Sequence, residues 1–229
     1  MIRGTRFTSR RYMPHAVAAL ALAGLGTAAL VTSSSSTLQA RSRVEGLAAA
    51  NDAWLDRLDG KYRQLFDTPS PNGGIMLVHI LNYYDTYNKA YGVPDKDVDG
   101  IGTFYGGTTF HGLNDAMWAK YRLGEFMNEN DPATGKPATA NPWRVKPVIL
   151  GLDLPQASIE SLQARGATFI ICNNALNIFA TLVAQKQGLD AKVVYEDMKA
   201  NILPGVTLVP GMVIAIDKAQ QRGISYHRQ

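Results

Sequence analysis

From residue 73 onward the chain alternates short apolar runs with stretches of helical period, a pattern that few architectures accept. Ile75 to Leu81 is a near-continuous apolar run that reads as a buried strand, with Tyr83 to Tyr91 as a helix stopped by Gly92-Val93-Pro94. Ile101 to Tyr105 reads as a second strand, followed by a Gly106-Gly107 turn and a helix over about Asn114 to Met127. Asn128 to Pro147, rich in Asn, Pro, Thr and Gly, is long for a plain connection and is expected to be a surface insertion. Pro155 to Arg165 reads as a helix, Thr168 to Ile171 as a strand running into Cys172, and Leu176, Phe179, Ala180 and Val183 as a helix ending at Gly188. A Leu203-Pro204-Gly205 turn, a strand through Val209, a helix over Met212 to Arg222 and a last strand from Ile224 to His227 complete the series. Strands separated by helices predict a single α/β domain, its mostly parallel sheet flanked by helices.

Two segments precede that domain. Between Asn51 and Phe66 the residues Trp54, Leu55, Leu58, Tyr62, Leu65 and Phe66 recur at helical spacing with charged residues between them, which predicts an amphipathic docking helix. Pro69-Ser70-Pro71-Asn72-Gly73-Gly74 then reads as a linker. Farther upstream, a basic head with Arg3, Arg6, Arg10 and Arg11 leads into an Ala/Leu/Gly stretch from Ala16 to Val31 and a Ser-rich tail ending at Ala40, the layout of a signal peptide. The apolar stretch falls short of the roughly 20 strongly apolar residues that a spanning helix needs. Ser9-Arg10-Arg11-Tyr12-Met13 resembles the twin-arginine export motif, which implies a periplasmic destination and membrane contact only during export. The expected organisation is therefore a leader over 1–40 with cleavage after Ala40, a helix and linker over 41–72, and the α/β domain over 73–229.

The leader also accounts for the basic pI. Four of the 23 Lys and Arg residues and none of the 19 Asp and Glu lie within it, so the remaining chain carries no net formal charge. A nucleic-acid partner, which calls for a basic patch on the folded domain, is excluded on that ground. The single cysteine cannot form an intramolecular disulfide, so an exported chain of this kind must be held by packing alone.

Cys172 is the most informative side chain, because it stands where a strand ends and a helix begins, and ligands of α/β sheets collect at the carboxyl ends of the strands. Asn173 or Asn174 is expected to cap that helix and bring its first N–H groups toward the sulfur, favouring the thiolate. The opposing reading makes Cys172 a small core residue after Phe169-Ile170-Ile171. His79, His111 and His227 are candidates to reach the same end of the sheet, although their spacing fits no compact metal motif and no metal or cofactor is expected. The Gly106-Gly107 turn is placed to present N–H groups to an anion in the same pocket, without the lysine of a P-loop. Tyr83, Tyr84, Tyr87 and Tyr91 have helical spacing and suggest a packing or subunit face, and Asp95, Asp97 and Asp99 a solvated turn.

Three segments carry a resemblance to a known family. Gly166-Ala167-Thr168-Phe169-Ile170-Ile171-Cys172-Asn173-Asn174-Ala175-Leu176, then Leu203-Pro204-Gly205-Val206-Thr207-Leu208-Val209-Pro210-Gly211, then Gln221-Arg222-Gly223-Ile224-Ser225-Tyr226 resemble the DsrE/DsrF-like sulfur-relay family, over roughly residues 73 to 229. The resemblance implies a compact α/β domain, assembly into oligomers, and transfer of sulfane sulfur as a persulfide, a role that only Cys172 can fill here. The partner implied is a protein thiol that gives or accepts sulfur. The alternatives are a non-catalytic member that binds a small ligand or redox partner, and a structural oligomerisation module. A homo-oligomer is expected from the apolar stripe of the Trp54–Phe66 helix together with the tyrosine face. Replacing Arg10 and Arg11 by lysine is expected to leave the precursor in the cytoplasm; fractionation showing normal periplasmic amounts would exclude the twin-arginine route.

Overall fold

The computed structural model describes residues 39–43 and 52–229. Residues 1–38 of the leader expected over 1–40 lie outside the described residues, and 39–43, a short helical stretch around the expected cleavage point, belongs to a separate unit from the domain. The domain is α/β. Its sheet consists of β1 (Tyr62–Asp67), β2 (Val98–Phe104), β5 (Thr168–Cys172), β6 (Val206–Val209) and β7 (Ser225–Arg228), in the order β6-β5-β2-β1-β7 with every neighbouring pair parallel. A separate antiparallel pair, β3 (Val148–Ile149) with β4 (Leu152–Asp153), sits just past the expected insertion.

Two expectations are overturned. Ile75 to Leu81 is not a strand but the first half of α1 (Ile75–Tyr91). A continuous apolar run has no period of its own, and here its neighbours supply a helical one: Met76, Leu77, Ile80 and Tyr84 are the buried positions. The helix ends as expected, with Gly92 left-handed at φ 69° and the Val93 N–H returning to the Tyr87 carbonyl. The second correction concerns Trp54 to Phe66, which is no docking helix. The chain turns at Gly60, whose N–H donates to the carboxylate of Asp99 at 2.8 Å, and continues as β1 between β2 and β7. Leu65 and Phe66 enter opposite sides of the sheet, as adjacent strand residues must. Residues 62–67 therefore belong to the domain, which starts upstream of residue 73. Asp99, read as part of a solvated turn, is buried, and that burial pushes its carboxyl pKa up.

Apart from the β3–β4 pair and a helix over Ala191–Ala200, neither of which the sequence reading contains, the remaining elements lie where the sequence places them. The stretch Asn114 to Met127 forms two helices, α2 (Asp115–Lys120) and α3 (Leu123–Met127), broken where Arg122 takes φ 50°. Then come α4 (Ile159–Ala164), α5 (Asn173–Gln187), α6 (Ala191–Ala200) and α7 (Met212–Gln221). Helices α1, α4, α5 and α6 supply the core on one face of the sheet, with Phe66, Phe104, Phe169 and Ile171 beneath them. The other face is covered by α7 and by residues 52–58, which bury Leu65, Ile101, Ile170 and Cys172 with Trp54, Leu55 and Leu58. The stripe, expected to cover either the main domain or a neighbouring subunit, is thus spent on the chain's own sheet.

Central strand β2 is buried along its whole length, and its glycines admit large neighbours. A Cβ at Gly102 would stand 2.6 Å from the ring of Phe169, which itself stacks on Phe104 at 5.4 Å between centroids. Gly102→Ala is therefore expected to destabilise the domain by about 1–3 kcal/mol through overpacking, read as a lower midpoint of chemical denaturation.

Candidate functional site at the Cys172 strand end

Strand β5 delivers Cys172 to the carboxyl end of the sheet, in register with Val209 of β6. Alternation along the strand turns Ile170 and Cys172 toward α7 and residues 52–58. The sulfur is the N-cap of α5: the Ala175 N–H donates to Sγ at 3.4 Å. A second amide converges from another element, since the Met212 N–H, at the first residue of α7, donates to Sγ at 3.3 Å. Both amides come from helix first turns, where N–H groups lack intrahelical acceptors, so one sulfur satisfies two helices. The asparagines expected to cap α5 do other work. Asn173 accepts the Tyr195 hydroxyl at 2.6 Å, and Asn174 is exposed beside Gly211, where an added Cβ would stand 3.3 Å from its amide nitrogen. Cys172 itself is only 5% exposed, against the accessible thiol that its position suggested.

The other candidates do not join it. His79 and His227 stack on each other at 5.5 Å between centroids, and His227 packs on Phe66, on the sheet face away from Cys172. His111 is fully buried, with its ring 3.7 Å from that of Trp143 and its Nε2 paired to Glu129 at 3.1 Å, again with the core of the opposite face. Its role is to seat the segment after α3, whose Asn141 donates to the His111 carbonyl at 2.8 Å. The Gly106-Gly107 turn presents no free anion cradle: the Gly107 N–H donates to the Pro69 carbonyl at 2.8 Å, and a Cβ at Gly106 would stand 2.8 Å from that oxygen. It ties the carboxyl ends of β1 and β2 together. A single pocket containing Cys172, Gly106, Gly107, His79 and His111 is therefore not formed, because the sheet separates both histidines from the sulfur.

A second polar group, not foreseen in the sequence, lies where the strand order reverses between β1 and β7. Asp67 is 3% exposed and accepts the Tyr226 hydroxyl at 2.6 Å, with Thr103 Oγ1 at 3.4 Å from its other oxygen. Burial first, and hydrogen bonding to Asp67 second, push the Tyr105 hydroxyl well above the ordinary phenol range. The Gln229 N–H adds a bond to the Asp67 carbonyl, so the carboxyl end of β1 holds the exposed edge strand β7 in place. Nothing in Tyr-Arg-Gln-Leu-Phe-Asp alternates cleanly enough to mark this strand; only the turn at Asp67-Thr68-Pro69 hints at its end.

No protein-family model and no curated protein matches this chain. Among solved structures, a protein of unknown function, MTH1491 from Methanobacterium thermoautotrophicum, is similar at a TM-score of 0.38 and 17% identity, over 73% of this chain and 99% of that one. Among the described residues, no group of three or more His, Cys, Asp or Glu is placed to hold a metal ion, and no helix is long and apolar enough to cross a membrane. The two amides at Sγ give a direct expectation. Cys172→Ala leaves both N–H groups without an acceptor whereas Cys172→Ser keeps one, so in chemical denaturation the alanine variant should be less stable than the serine variant by about 1–3 kcal/mol.

Proposed function

We propose that this chain is an exported carrier of sulfane sulfur, holding it as a persulfide on Cys172 in the manner of the DsrE/DsrF-like proteins that its sequence resembles. The observation that supports this reading is the convergence of the Ala175 and Met212 amides on one sulfur at a strand end. Both amides are first-turn donors without intrahelical acceptors, and together they hold the sulfur in a fixed place at the end of the sheet. In the loading step the Cys172 thiolate attacks the outer sulfur of a donor persulfide. The Sγ–S bond forms, the donor S–S bond breaks, and the donor leaves as a thiolate. In the unloading step an acceptor thiolate attacks that same outer sulfur, the Sγ–S bond breaks, and Cys172 returns to its starting state. Every electron is accounted for without an added oxidant or reductant.

Two observations favour the non-catalytic reading instead. Cys172 is almost wholly buried, as a packing cysteine would be, and the Asp67 and Tyr226 group lies at the strand-order reversal, where open α/β sheets place small ligands. Self-association stays part of the proposal: the stripe over residues 54–66 is buried in the chain's own core, but Tyr91 of the tyrosine face is exposed, and Ile178 and Leu182 of α5 and Val193 of α6 are further exposed apolar side chains that a second copy would cover.

The readings separate on the intact mass of the purified mature chain after exposure to polysulfide. Sulfur carriage predicts a gain of sulfur that a reducing thiol removes, and no gain for Cys172→Ser. An unchanged wild-type mass, or an equal gain in the serine variant, would leave the non-catalytic reading in possession.

A further inference from the structure

Residues 52–58 form a strap over the sheet face that Cys172 faces, and its attachment has two unlike parts. Underneath, Trp54, Leu55 and Leu58 are buried with Leu65, Ile170 and Cys172. Along the rim, the attachment is polar and open to water: Asp52 pairs with Lys218, Asp56 with Arg222 at 2.9 Å, and Arg57 donates to Thr207 at 2.9 Å. The side chains of Asp56 and Arg222 are 62% and 49% exposed, so water competes for their bond and its loss costs little. The seam between strap and α7 is also incompletely filled. A cleft of about 200 Å³ opens there, with Asp52 and Trp54 on the strap side and Val209, Gly211, Ile214 and Ala215 on the other. Val209 is the register partner of Cys172, and the residue after Gly211 is the Met212 whose amide reaches Sγ.

We propose that the strap is the gate of Cys172, and that reagents reach the sulfur through this seam when the strap lifts off α7. The use of the gate for sulfur transfer rests on the function proposed above; the gate itself does not. It reconciles a buried thiol with reaction, because lifting the strap enlarges a cleft lined by Val209, the strand partner of Cys172, and leaves the sheet and its hydrogen-bond ladder intact. The rim ion pairs then tune how often the gate opens, adding to the larger cost of exposing Trp54, Leu55 and Leu58, because they are made in the closed state and broken in the open one.

The test is the rate at which iodoacetamide alkylates the only cysteine of the native chain, measured together with the midpoint of chemical denaturation. Lys218→Glu with Arg222→Glu sets like charges against Asp52 and Asp56. The alkylation rate should rise about fivefold or more, as expected when two surface ion pairs become repulsions. Adding Asp52→Lys with Asp56→Lys restores opposite charges and should return the rate toward that of wild type. Because Glu near the end of α7 also opposes the helix dipole, the denaturation midpoint separates the gate from general weakening. An unchanged rate on charge reversal, a rate that merely follows global stability, or wild-type alkylation already as fast as that of the unfolded chain would each overturn the gate. Alkylation that responds as expected in a chain that takes up no sulfur would keep the gate and remove the sulfur-carrier reading.

Discussion

A parallel sheet must be covered on both faces, because its strands carry apolar side chains to either side and its connections are crossovers that pack against it. In this chain the first four strands step in one direction, β1 to β2 to β5 to β6, and the connecting helices α1, α4, α5 and α6 accumulate on one face. Only the last crossover runs back across the sheet to set β7 beside β1, and its helix α7 lies on the opposite face. One ten-residue helix does not cover five strands. Residues 52–58 complete that cover, so the segment before β1 is part of the core and its bulky residues are buried by the sheet they protect.

The environment of Cys172 is a consequence of the same topology. Strand β5 feeds directly into α5, and its neighbour β6 is followed by α7 on the opposite face, so the first turns of two helices arrive at the end of β5 from two sides. A group that ends β5 there has two orphan amides to satisfy. Sulfur is a weak acceptor, and a hydroxyl or carboxylate would bind those amides more strongly. Under the proposed function a thiol stands where a better acceptor would fit because it is the group that carries sulfur, and under the proposed gate its burial beneath the strap is relieved when the strap lifts.

Apart from α6, the β3–β4 pair and the break between α2 and α3, the α/β class, the parallel sheet and the elements after Ile101 were legible in the sequence, because Gly188 and Gly223 punctuate the helices and β5 is a compact apolar run. The first third was not. Trp54 to Phe66 has helical spacing only because a strap and a strand, each with its own buried residues, adjoin at Gly60 and mimic one period. Ile75 to Leu81 lacks any period of its own and so reads as a strand; the helical period appears only when Tyr84, which continues the buried face, is taken with it. At the site, the strand-to-helix position of Cys172 was readable, but its second amide was not, since Met212 is 40 residues away and reaches the sulfur through the pairing of β5 with β6. The histidines looked convergent because sequence shows a strand end without showing which face a side chain takes.

The claim on which this account turns is that one sulfur joins two helix starts, and amide hydrogen exchange at Ala175 and Met212 tests it directly. In the wild-type chain both amides should exchange slowly for first-turn positions, and in Cys172→Ala both should accelerate together while the interior of α5 and of α7 is unchanged. A Met212 amide that exchanges as fast in the wild-type chain as in the alanine variant would contradict it, because the sulfur would then hold one helix and not two.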